Sequence, residues 1–191
     1  MKHVLLLVDI QNDYFPGGAM ELAGSPEAGL KASTLLRSFR DHALPVIHVQ
    51  HIASRDGATF FLPGTPGVAI HDSVAPQEGE LVITKHFPNS FRQTGLLEQL
   101  RKRQANTLVI AGMMTHMCID TTTRAAADLG FQCMLAHDAC ATRDLSFGEI
   151  TVPAAQVQAA YLAALDGPFA QVRAAEAICA GLPIATKRGG K

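Results

Sequence analysis

Three polar residues stand at or just beyond the ends of apolar runs. Asp9 follows the run 4–8, Lys85 follows 81–84, and Cys118 comes shortly after 108–111. If those runs are neighbouring parallel strands, all three residues share one rim of a sheet. A thiol with an ordinary pKa of about 8.5 is mostly protonated at neutral pH, so a nucleophilic role needs a helix terminus, a cation or a base beside it. Residues 119–129 have a helical pattern, which sets Cys118 where the positive end of a helix dipole favours thiolate. Lys85 is the natural electrostatic partner of that thiolate. Asp9 is the group able to take its proton during attack and return one to a leaving amine. Taken singly, each residue also has a plainer reading: a buried structural thiol, a sheet-end carboxylate and a solvated lysine.

The elements that must position them are legible from periodicity. Run 4–8 is continuously apolar, as a strand buried on both faces of a parallel sheet should be. Ser25, Pro26 and Glu27 predict an N-cap, a first-turn proline and an early acid, opening a helix that ends near His42. Further strands are expected at 46–49, 81–84, 108–111 and 133–136, and further helices at 96–103, 119–129 and 154–165. This alternation predicts an α/β three-layer sandwich, with a central, mostly parallel sheet and helices on both faces. In such sheets the functional site lies at the carboxyl ends of the strands. Residues 52–80 lack a clean period and are expected to form a loop or cap excursion. Residues 183–191 are expected to be a flexible tail.

The chain has 191 residues, enough for one domain spanning 1–191. Hydrophobic residues are 48% and charged residues 17%, which places it among ordinary globular folds. Sixteen basic against seventeen acidic side chains give a net charge of −1, so no overall basic surface predicts a nucleic-acid or anionic-membrane partner. The start is too short and too soon acidic for a signal peptide, and no run reaches the roughly 18 apolar residues of a membrane span. Cys118, Cys133, Cys140 and Cys179 form no C-x-x-C pair, so a reducing, cytoplasmic setting is expected. Cys133 and Cys140 read as structural.

Three segments together carry a resemblance: Val8-Asp9-Ile10-Gln11-Asn12-Asp13-Tyr14-Phe15, then Thr84-Lys85, then residues 111–126 from Ala111-Gly112-Met113-Met114 through Thr115-His116-Met117-Cys118. In order and spacing the chain resembles the isochorismatase-like cysteine hydrolases, from about residue 5 to 172, with 112–126 the most specific part. The resemblance implies a triad of Asp9, Lys85 and Cys118 acting through a covalent thioester. It also implies a cis peptide at Met113–Met114 and an oxyanion hole formed by the backbone N–H groups of Met114 and Cys118. A homo-oligomer follows from the same likeness. Members that keep the triad are mostly amidases or ureidohydrolases, whereas vinyl-ether-cleaving isochorismatases typically lack the cysteine. Cleavage of a C–N bond in a small molecule is therefore expected here.

Gln11, Phe15, Phe87, Phe91, Thr115 and His116 are the expected substrate-binding residues, being near the rim. Phe60 and Phe61 could join them, with ordinary packing as the plainer account of every ring. Asp138-Ala139-Cys140-Ala141-Thr142 is expected to be a supporting loop on the same rim. No cofactor and no metal are expected. The Asp-x-His…His pattern of the nicotinamidases is missing after the second strand, and His48 and His51, three apart on a strand, point to opposite faces. Two other enzyme readings fail on motif: a phosphatase of the haloacid-dehalogenase type wants Asp-x-Asp where the chain has Asp9-Ile10-Gln11, and no G-x-G-x-x-G serves a dinucleotide. A vinyl-ether hydrolase and a non-catalytic small-molecule-binding relative stay open.

Overall fold

The computed structural model describes residues 2–183. The tail expected at 183–191 lies, beyond its first residue, outside the described residues. Five strands run in chain order as β1 (His3–Val8), β2 (Val46–His51), β3 (Leu81–Lys85), β4 (Thr107–Met113) and β5 (Gln132–Ala141). Between and after them come α1 (Ser25–Asp41), α2 (Leu96–Lys102), α3 (Asp120–Asp128) and α4 (Ala154–Leu165). Three short strands, β6 (Leu145–Phe147), β7 (Ile150–Val152) and β8 (Gln171–Arg173), and a last helix, α5 (Ala175–Ala180), complete the set.

The main sheet has six strands in the order β3-β2-β1-β4-β5-β8, all parallel. Its layering follows from the pleat. Leu5 and Leu7 of β1, with Val109 and Ala111 of β4, point to one side and pack with Ala28, Leu35 and Phe39 of α1 and Ile178 of α5. Val4, Leu6 and Val8, with Leu108 and Ile110, point to the other and pack with Leu96 and Leu100 of α2, Ala126 of α3 and Leu165 of α4. A period-2 strand buried on both faces therefore reads as an unbroken apolar run.

Three sequence expectations change in the structure, and four short elements are added to it. Gly24, not Ser25, caps α1: its left-handed φ of 72° suits a residue without a Cβ, while the Ser25 hydroxyl is buried with no partner. The helix expected at 119–129 begins at Asp120, preceded by a wide π turn over Thr115–Ile119, so Cys118 lies inside that turn and not at the α3 terminus. Residues 138–142 form no loop up to Ala141. They continue β5, because a register shift after Ile110 lets Cys140 pair with Gly112. β6, β7, β8 and α5 are too short for any periodicity to announce. The β6–β7 ribbon carries Phe147 (88% exposed) and Ile150 (66%).

The excursion 52–80 contains two single 3-10 turns, Pro66–Val68 and Asp72–Val74. It is tied down by the loop after β1. Gln11 gives its amide N–H to the carbonyls of His51 (2.9 Å) and Val68 (2.7 Å), and the Asp13 carboxylate accepts from the Phe61 amide at 2.6 Å.

Candidate active site

The strand order places β1 between β2 and β4, so the carboxyl ends of β1, β3 and β4 converge on one rim. Asp9 directly follows β1 in a left-handed conformation (φ 53°), which costs an aspartate about 1 kcal/mol or more and turns its carboxylate inward. Lys85 is the last residue of β3. Gly112 near the end of β4 makes the closest backbone approach: at its φ of 139°, a Cβ would stand 1.9 Å from the Val8 carbonyl oxygen. Only glycine lets β4 and the nucleophile turn lie this close to Asp9. The Met113–Met114 peptide that follows is cis.

Lys85 Nζ is the centre of the cluster. It lies 2.7 Å from Asp9 Oδ2, with both side chains wholly buried, and 3.2 Å from Cys118 Sγ. It also reaches His51 Nδ1 at 3.0 Å and the Phe87 carbonyl at 3.1 Å. The Asp9 contact is a buried ion pair, and the same carboxylate lies beside the Cys118 thiol, whose pKa it raises.

Burial drives the Cys118 thiol upward, Asp9 drives it further, and Lys85 pulls it back by less, so the resting sulfur is a thiol. That direction is opposite to the pull toward thiolate expected of a helix terminus. For Lys85 burial works against charge, but the buried Asp9 carboxylate at 2.7 Å outweighs it, and the amine stays an ammonium. His51 falls to about 4, from burial first and the Lys85 charge second, and is neutral.

The remaining expected residues divide sharply. Phe87 lines a cavity of about 480 Å³ whose apolar walls include Ala53, Ala58, Phe60, Pro88 and Met117, and which adjoins the cluster through His51. A slightly larger, open hollow of about 510 Å³ lies over Asn12, Asp13 and Pro66, touches none of the cluster, and shares only Phe60 with the first. Gln11 spends its amide on the excursion, and its Oε1 accepts the His51 N–H at 2.8 Å. Phe15 is stacked on His71 with centroids 3.5 Å apart, in the α1 layer. Phe91 packs against Phe131 in the opposite layer. Thr115 is buried and gives its hydroxyl to the Ala141 carbonyl at 3.2 Å. His116 Nδ1 is 2.6 Å from Thr142 Oγ1. These last two fasten the nucleophile turn to β5.

His51 is the member the sequence reading passed over, having been weighed only as a metal ligand. The available signal was register: His51 pairs with Lys85 across β2 and β3. Asp9, His51 and Cys118 do bring one ligand atom each within 4.8 Å of one another. Lys85 Nζ contacts all three, so an ion held by them would have to displace the ammonium.

The fold and the cluster thus define an α/β protein with a buried carboxylate, ammonium and thiol at the carboxyl rim of a parallel sheet. Comparison with known proteins places it further: residues 3–176 match the isochorismatase domain model, and the chain belongs to the isochorismatase family. It is 49% identical to the uncharacterised isochorismatase family protein YddQ of Bacillus subtilis, covering 93% of this chain and 98% of that one. A crystal structure described as an isochorismatase hydrolase from Oleispira antarctica superposes with a TM-score of 0.91 at 52% identity, covering 94% of this chain and 97% of the other. The maleamate amidohydrolase of Pseudomonas putida is 29% identical, covering 74% of this chain and 73% of that one.

Proposed function

We propose that this protein cleaves a carbon–nitrogen bond of a small amide or ureide through a thioester on Cys118. The observation that carries the reading is the buried cluster itself, with Lys85 Nζ 2.7 Å from Asp9 Oδ2 and 3.2 Å from Cys118 Sγ and the carboxylate beside the thiol. Such a carboxylate can take the Sγ proton as sulfur attacks the carbonyl carbon, and Lys85 offsets the negative charge as it develops on sulfur. The backbone N–H groups of Met114 and Cys118 are assigned to the oxyanion. As the C–N bond breaks, Asp9 hands the proton to the leaving amine. A water, deprotonated by Asp9, then attacks the thioester. The acid leaves, and the sulfur regains its proton.

Amidohydrolases among the relatives support the choice of C–N cleavage over the vinyl-ether reading. Phe87 serves as a wall for the substrate. Thr115 and His116 hold the turn that carries Cys118, while Gln11, Phe15 and Phe91 act as scaffold.

The test is ammonia release from a panel of small amides and ureides. Cys118→Ala is expected to lose about a thousandfold or more of the turnover of the best substrate, with its melting temperature little changed. Full turnover in that variant contradicts the mechanism.

A further inference from the structure

The cavity beside the cluster has a one-sided chemistry. Besides its apolar walls it is lined by His51, Ser54, Arg55 and His86, and no acidic side chain lines it. Asp9, the nearest carboxylate at the cluster, is already paired with Lys85. Arg55 makes no ion pair and no side-chain hydrogen bond among the described residues. Arg55 is therefore an unpaired guanidinium on the wall of a pocket whose other polar lining residues, His51, Ser54 and His86, include no carboxylate.

His51 adds a second donor with a defined direction. Lys85 is an ammonium and has only protons to give, so His51 Nδ1 accepts, and the proton of the neutral ring sits on Nε2. That N–H finds no partner among the described residues, and His51 lines the cavity. Lys85 thus fixes both the charge of the cluster and the tautomer of a ring that faces the substrate space.

We propose that Arg55 and the Nε2–H of His51 are specificity residues that select an amide whose non-reacting end carries an anionic oxygen, a carboxylate on a short apolar body. The scissile carbonyl lies at Cys118 and the carboxylate lies toward Arg55. The assignment of the reacting end rests on the amide-hydrolase reading, while selection of the carboxylate does not.

The test measures binding without turnover. In Cys118→Ala protein, calorimetry compares succinamate with butanamide, two amides of equal chain length that differ in the terminal carboxylate. Succinamate is expected to bind roughly tenfold or more tightly. Arg55→Gln, an exposed position where folding is not at risk, is expected to bring the two affinities to within about threefold. His51→Leu should weaken succinamate further, and His51→Gln, which keeps an N–H, should recover part of the loss. Equal binding of the two amides, no binding of either, or a preference that survives Arg55→Gln overturns the inference. The two readings fail separately: a carboxylate preference without an acyl adduct on Cys118 sinks the hydrolase mechanism alone, and an adduct with equal binding sinks this one alone.

Discussion

Asp9 is asked to do two opposed things, and the cluster explains how. Burial first and then its charge raise the Cys118 thiol, yet its carboxylate lies beside that thiol and can accept the proton once a carbonyl is in place. Reactivity and turnover should therefore split. Asp9→Asn removes the charge that raises the thiol, so alkylation of Cys118 by iodoacetamide at pH 8 should become faster, while amide turnover should fall by about 10² to 10⁴. Both rates are measurable on one preparation, and a parallel rise or fall of the two would contradict the assigned role. Asp9, Lys85 and Cys118 were all legible in the sequence because each stands at the edge of an apolar run. His51 was not, since its part depends on strand register that no local pattern reveals. Gln11 and Phe15 misled for a related reason: proximity to the rim in sequence does not fix the direction of a side chain, and theirs serve the excursion and the α1 layer.

At the scale of elements, the five longer strands and four longer helices were readable because burial on both faces leaves continuous apolar runs, and helix faces leave a 3.6 period. The π turn was not, because Thr115–Ile119 carries no pattern distinguishing it from the first turn of α3. Nor was the register shift in β5, which is set by the contact with Gly112. That glycine is the element-scale prediction. Gly112→Ala drives a methyl into the Val8 carbonyl at a φ that an alanine rarely adopts, and should cost about 3 kcal/mol or more in chemical denaturation, with Asp9 and Cys118 pushed apart. A variant of wild-type stability would show that β4 does not need this approach.

Over the whole molecule, the far end of the fold has an electrostatic tie of its own. Arg40 of α1 grips Glu80 through Nε and an NH2 nitrogen, both at 2.8 Å, and His48 of β2 meets the same carboxylate at 3.0 Å. The Arg40 bond is the largest cause holding Glu80 down to about 2. A carboxylate whose folded value lies below its unfolded one adds stability above pH 4.5, and that stability drains away as pH falls toward 2. The pair is partly exposed, so the loss should be about 2 kcal/mol. Glu80→Gln should flatten this part of the stability curve, and an unchanged acid slope would remove Glu80 as its source. No helix of the described residues is long and apolar enough to cross a membrane. The family assignment likewise rests on most of the chain, residues 3–176.

The most direct measurement is intact-mass spectrometry of the protein quenched during turnover of an amide, with peptide mapping of any adduct. The expected result is a mass gain equal to the acyl half of the substrate, located on Cys118 and missing in Cys118→Ala. An acyl group mapped to another residue, or undiminished turnover in Cys118→Ala, would contradict it.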